Sequence, residues 1–493
     1  MKKKMIKGSA NFARLLQIGG MCWGLCLSMV AFAQDDFIAG PLYQQFPLTL
    51  DSGNRTEAAG PFFYQQERET EKSWAMPPLF SYLTDPATES ETYDLFYPLL
   101  TCEIYGREYR WQFCQLLSFS GGQNQAAIPK SRFTLFPVYF QQRSPETNEN
   151  YTALVPFYGH IKDRLFKNEI FFVMFPIYSE TRKRDVVTDN YFYPFFDLRH
   201  GDGLYGWQFW PLVGNEHKDV TTQTNSFGEI EIIGGHDASF FLWPICLKQN
   251  TGIGTESPEK FRALIPLYAT SHSPQRDSTS VLWPFFNWTD DRERKYREWD
   301  GPWPFIALAR GPGKTTTRVL PLFSRSHNDT YESDFYLWPI YKYNRLRAGA
   351  LDQERTRILF YLFVDVTEKN TGTGKAGRRV DLLPLFTWHR DFNGSSRLQI
   401  LAPIEPILPG SSGVERNWSP LWSLWRAEDN PRTGASSRSL LWNLYRCDRT
   451  PGTKKCSLLF GLFQYQSNAE SKKLRLFYIP LVNVNQPAGH PAK

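Results

Sequence analysis

An all-β fold, a repetitive antiparallel array of strands and hairpins, is what this 493-residue sequence predicts. The first observation is a five-residue phrase, apolar-apolar-Pro-apolar-apolar, that returns about every 19 residues: LFPVY around Pro137, MFPIY around Pro176, LWPIC around Pro244, LWPFF around Pro284, LWPIY around Pro339 and YIPLV around Pro480. Degenerate copies carry Tyr361, Asn443 and Gly461 where the proline would stand. A short, fixed period means one supersecondary unit copied many times, each copy needing its neighbours to bury its apolar centre. The second observation is turn chemistry between the phrases, as in Thr289-Asp290-Asp291, His327-Asn328-Asp329 and Phe392-Asn393-Gly394-Ser395. Asn, Asp and Gly tolerate the conformations that reverse a chain. The third is the make-up of the phrases themselves: Phe, Tyr, Trp, Leu, Ile and Val favour pleated strands, and no long segment holds an apolar helical stripe free of Pro or Gly.

In chain order, residues 1–33 read as a secretory signal peptide. Lys2, Lys3, Lys4, Lys7 and Arg14 precede an apolar stretch from Leu15 to Val30, which closes on Ala31-Phe32-Ala33. Residues 34–73 read as an irregular N-terminal lead-in or cap, with Asp51-Ser52-Gly53-Asn54-Arg55 and a charged run from Glu67 to Lys72. Residues 74–484 form the β-repeat domain, and 485–493 a C-terminal tail. The insertion from Thr221 to Gly235 stretches the interval between Pro211 and Pro244 and reads as an additional hairpin or a protruding loop.

Within the repeat, a two-residue period places Leu282, Pro284, Phe286 and Trp288 on one side of a strand, and Val281, Trp283 and Phe285 on the other. A strand apolar on both faces is expected to be covered on both faces. The array is therefore expected to be propeller-like or a large layered sandwich, with a closed β-barrel as the alternative. Proline donates no backbone hydrogen bond, so its recurrence points to a bend or bulge where a strand passes from one sheet to another.

The balance of 56 basic and 50 acidic residues gives +6 with both signs interspersed, which disfavours a nucleic-acid partner. The eight histidines are scattered and no paired Cys/His spacing of a zinc site occurs. Neither His200 with Asp202 nor His236 with Asp237 makes more than half of a nucleophilic triad, and both read as turn histidines. Gly311-Pro312-Gly313-Lys314-Thr315 lacks the first glycine of a phosphate loop. Asp290, Asp291, Glu293, Glu298 and Asp300 near Trp288, Tyr296, Trp299 and Trp303 offer a carboxylate pair and aromatic platforms of the kind a glycoside hydrolase uses, but their alternation with Arg and Lys reads as a solvated hairpin tip. No catalytic, cofactor-binding or metal residue is assigned, and no cofactor. Two pairings have feasible disulfide spacing, Cys447 with Cys456, symmetric about Pro451-Gly452, and Cys102 with Cys114, flanking Gly106-Arg107-Glu108, with buried free thiols as the alternative.

These readings describe an exported, non-catalytic structural or binding protein of a bacterial-type cell envelope, in the periplasm, outer membrane or medium. Its partners would be an envelope protein, a glycan or the outer membrane itself. An outer-membrane β-barrel is the alternative, and a secreted carbohydrate-binding or glycoside-hydrolysing protein the second.

Overall fold

In the computed structural model, residues 40–124, 128–224, 230–469 and 471–485 are described. The signal-peptide segment and residues 486–493 lie outside them. Strands dominate, and 43 of them form one antiparallel sheet in which each strand is hydrogen-bonded to the next in sequence. Strands of about six residues alternate with two kinds of connection, so one hairpin and its link to the next consume the period seen in the sequence. The hairpin array is thus present, as a single meandering sheet. It is divided neither into propeller blades nor into two separate stacked sheets.

It is not closed into a barrel either. The first strand, Tyr43–Pro47, pairs only with Gly53–Ala58, and the last, Ile479–Asn485, only with Ser471–Leu476, which leaves both outer edges unpaired among the described residues. The array also starts earlier than expected, since four strands from Tyr43 to Met76 occupy most of the supposed lead-in. Their turns, Leu48–Ser52 and Ala59–Phe62, carry little of the five-residue phrase. The insertion after Lys218 is a hairpin of its own, Thr221–Thr224 against Ile230–Ile233.

Apart from the last, whose Pro480 lies in the strand Ile479–Asn485 opposite Arg475, the proline phrases are not strand centres. They are the hairpin turns. Leu282-Trp283-Pro284-Phe285 links Arg276–Val281 to Phe286–Asp291, with the Phe285 amide donating to the Leu282 carbonyl at 2.9 Å. Phe96–Leu99, Phe192–Phe195 and Leu337–Ile340 repeat this bond at 2.8, 2.9 and 2.7 Å. The expectation of a bend between two sheets fails for the reason that raised it: proline's missing donor is tolerated where the ladder ends, at a reversal, as well as at a bulge.

Because turns in a meander alternate between the two edges of the sheet, every phrase turn falls on the same rim. The opposite rim carries polar connections such as Glu69-Thr70, Gly106-Arg107, Arg184-Asp185 and Asp329-Thr330. Leu165-Phe166, Ile128, Val220 and Phe392 are exposed apolar exceptions there.

The two faces differ as sharply as the rims. The row of the inner face nearest the phrase turns is small or polar over long stretches: Ser81 opposes Asp94, which opposes Thr101, and Ser179, Asn190 and Asp197 continue the pattern, all six buried. Room is short on this face. A Cβ on Gly159 would lie 2.2 Å from the Ala153 Cβ and 2.7 Å from the Phe172 ring. One apolar cluster, Phe140, Tyr151, Ala153, Ile161 and Phe172, fills it locally. The corresponding outer row is apolar from strand to strand, as in Tyr178, Tyr191, Phe196, Phe209, Val213 and Phe241, which are successive register partners.

The sheet curls until its beginning meets its end. Between Ile400 and Trp425 the phrase turn is replaced by two short helices, α1 (Ser412–Asn417) and α2 (Ser419–Trp422). Ser411 caps α1 by accepting from the Val414 amide. This insert reaches back to the N-terminal strands: Tyr64 Oη donates to the Arg416 carbonyl at 2.9 Å and Trp418 Nε1 to the Tyr97 carbonyl at 2.8 Å. No described helix is long and apolar enough to cross a membrane.

Candidate functional site

The feature that stands out is the rim of phrase turns. Bulky apolar side chains project from it into open space: Phe192 is 63% exposed, Leu267 56% and Leu337 55%, with Trp243, Trp283, Phe285 and Trp338 also in the exposed class. The expectation that these segments are buried between layers is overturned. Burying one such side chain is worth about 1.5–3 kcal/mol, and the fold itself leaves that gain unrealised turn after turn.

Backbone hydrogen bonds stack the turns into a continuous ridge. The Leu282 amide donates to the Leu267 carbonyl at 2.8 Å, Trp303 to Phe285 at 2.7 Å, and Leu337 to Leu322 at 2.6 Å. The leading residue of many turns has positive φ, including Met174 at 48°, Phe192 at 51°, Leu282 at 49° and Leu337 at 46°. For bulky residues that region is costly, and Gly or Asn would enter it at less expense. A large apolar side chain at such a place is therefore not explained by turn geometry.

With the outer row one residue away, the ridge forms an apolar belt about 10 Å deep along strands of about 20 Å, by the rise of an extended chain. A membrane-spanning barrel needs a band of about 25 Å. The belt matches instead the depth of about 5–10 Å to which interfacial elements sink into one leaflet. Its Trp and Tyr content is of the kind found at membrane–water boundaries.

The overlap of the two ends is held by polar chemistry. Asp94, fully buried, accepts from Arg416, from Asn417 Nδ2 at 3.0 Å, from Ser81 Oγ at 2.9 Å and from Thr101 Oγ1 at 3.1 Å. Asn443, the residue in a proline place, donates to Glu57 Oε2 at 2.6 Å, and the Arg446 guanidinium lies 3.5 Å from the Phe46 ring centroid. Nearby, burial pushes the Glu428 carboxyl up, but the Arg426 and Arg397 guanidiniums more than reverse this and hold its pKa at about 2. Burial in turn lowers the pKa of Arg426. This is a mostly charge-paired seam.

The structure joins Cys447 and Cys456, which are register partners, by a disulfide. Cys102 and Cys114 are free. The hairpin register sets Cys102 opposite Trp111, and Cys114 lies beyond the strand in the phrase turn, so their symmetry about Gly106-Arg107-Glu108 is only apparent. His200 and His236 lie in strands rather than turns, and neither meets the acid next to it in sequence. His200 is 3.8 Å from Asp189, and His236 Nε2 is 2.5 Å from Glu216 Oε1, while Asp202 holds Lys218 and Asp237 holds His217.

Asp290 opposes Arg297, whereas Glu298 opposes Thr289 and binds Lys314 at 2.7 Å; the alternation of the strand puts these two carboxylates on opposite faces, where they cannot flank one bond. Gly311–Gly313 forms a turn on the polar rim, and Lys314 and Thr315 begin the strand after it. His490 lies outside the described residues. Among the described residues no group of His, Cys, Asp and Glu is arranged to hold a metal ion.

Sequence reasoning missed the rim. The signal was present in the outer row: beyond each phrase the residues alternate apolar and polar, as in Phe286, Asn287, Trp288, Thr289, a half-solvated strand rather than one buried on both faces. Comparison with known proteins returns no match to any family model and none to a curated sequence.

Proposed function

We propose that the protein is an exported, non-catalytic scaffold of the cell envelope that lies on a membrane, its rim of phrase turns sunk into one leaflet and its polar rim in water. The observation that supports this best is the concentration of exposed, bulky, backbone-strained apolar turns on one rim of a sheet whose other rim is mostly polar, Leu165-Phe166 being the chief counter-example there. An apolar ridge running along the array far exceeds the few hundred Å² that soluble monomers leave open. A lipid surface suits it better than a compact protein partner, because a leaflet is extended, apolar and indifferent to the exact side chain, and the turns vary freely among Leu, Trp, Phe, Ile and Val. The signal-peptide reading of residues 1–33 supplies the route to an envelope membrane.

The test is flotation of residues 34–493, prepared without detergent, with lipid vesicles. Co-flotation that survives high salt is expected. A monodisperse protein that stays at the bottom of the gradient, or that buries the rim in a soluble dimer, contradicts the proposal.

A further inference from the structure

Strands Tyr341–Ala348 and Leu351–Ile358 carry a cluster of cations on the inner face, directly behind the rim. Lys342 and Arg357 are register partners in the row nearest the turn, and Arg355 lies one row further on the same face. Like charges directly opposite each other destabilise a sheet. A carboxylate would be expected between them; on this face Glu368 accepts from Gln353 at 2.6 Å, and Asp381, two strands from Arg357, accepts from Arg379 and Thr387. Asp352 and Glu354 hold Arg345, and Glu332 holds Arg347, all on the outer face. On the inner face, Phe335 opposes Lys342 and Val364 opposes Arg357.

The guanidinium is also incompletely satisfied. Arg357 donates to Tyr361 Oη at 3.3 Å and to Asn344 Oδ1 at 3.2 Å, but its Nε is buried with no partner. Tyr361 is the residue that replaces proline in this turn. It belongs to the exposed ridge Leu359–Leu362, so the cluster sits where the apolar belt gives way to the inner face. Burial, then the charge of Arg357, lowers the pKa of Lys342, in keeping with a cation that lacks its counter-ion.

We propose that Lys342, Arg355 and Arg357 form a binding site for a phosphate group, either free or carried by a lipid whose acyl chains lie along the adjoining turns. The lipid form of the ligand rests on the membrane reading of the rim; the phosphate site does not. Arginine matches phosphate with paired donors and lysine adds a point charge, and bound phosphate would relieve the repulsion between the facing cations.

The test uses residues 34–493 and the double variant Lys342→Gln/Arg357→Gln. With inorganic phosphate as probe, the parent should gain several degrees in Tm and the variant none, while without phosphate the variant should melt no lower than the parent because the like-charge contact is gone. Arg357→Lys, which keeps the charge, should retain most of the shift. Vesicles containing phosphatidylglycerol should hold the parent about tenfold more tightly than the variant. Vesicles of digalactosyldiacylglycerol, which offer acyl chains without phosphate, should hold both equally. A phosphate shift with no difference on phosphatidylglycerol makes the free anion the ligand and removes the lipid form. Absence of both differences overturns the site, and binding to the galactolipid then reports separately on the rim.

Discussion

At the residue scale, the seam between the two ends turns on Asp94 and Arg416, which are both buried. Removing one partner of a buried pair strands the other in low dielectric, at a cost of about 3–5 kcal/mol. Arg416→Met should therefore lower the unfolding free energy by roughly that amount, and Asp94→Leu in the same chain should recover part of it; urea titration reads both. Glu428 gives the seam a pH dependence. Its pKa is depressed from 4.5 to about 2, so its contribution is fully present above about pH 4.5 and lost as pH falls through about 2. Glu428→Gln should flatten the acid limb of a stability–pH curve relative to the parent, and an unchanged limb would mean the charge contributes nothing. None of these partners could be read from the sequence, since Asp94 and Arg416 are brought together only by the curl of the whole array. Cysteine positions were readable only where hairpin register agreed with symmetry about a turn, as at Pro451-Gly452, and misleading where it did not.

At the scale of the element, the period, the strand character and the reversals were legible because each hairpin repeats the same local chemistry. The role of the phrase was not. Four apolar residues in a row containing Trp or Phe have the look of a buried strand, and a reversal with no Gly or Asn gives no ordinary turn signal. Leu282, Trp283 and Phe285 supply the measurable consequence. As exposed turn residues, their joint replacement by Ser should change the unfolding free energy by no more than about 0.5 kcal/mol per site, whereas centre-of-strand burial would cost several times that. The same variant should bind vesicles at least tenfold less tightly, because the side chains are withdrawn from lipid rather than from the fold. A large loss of stability would return the phrases to the core.

At the scale of the molecule, a sheet of 43 strands has little conventional core. What orders it is the ladder between successive strands, the crowded small and polar inner face, and the seam that ties the helical insert to the N-terminal strands. The outcome is a body amphipathic from rim to rim, a property that belongs to no single hairpin and that a meander generates automatically when alternate turns differ in polarity. The most direct test is the immersion depth of the two rims on vesicles, read from spectroscopic labels at position 283 on the phrase rim and position 185 on the polar rim. The account predicts that the first label is quenched by groups on the upper acyl chains and shielded from aqueous quenchers, while the second remains in water. Both labels in water, or both at the same depth in the bilayer, would contradict it.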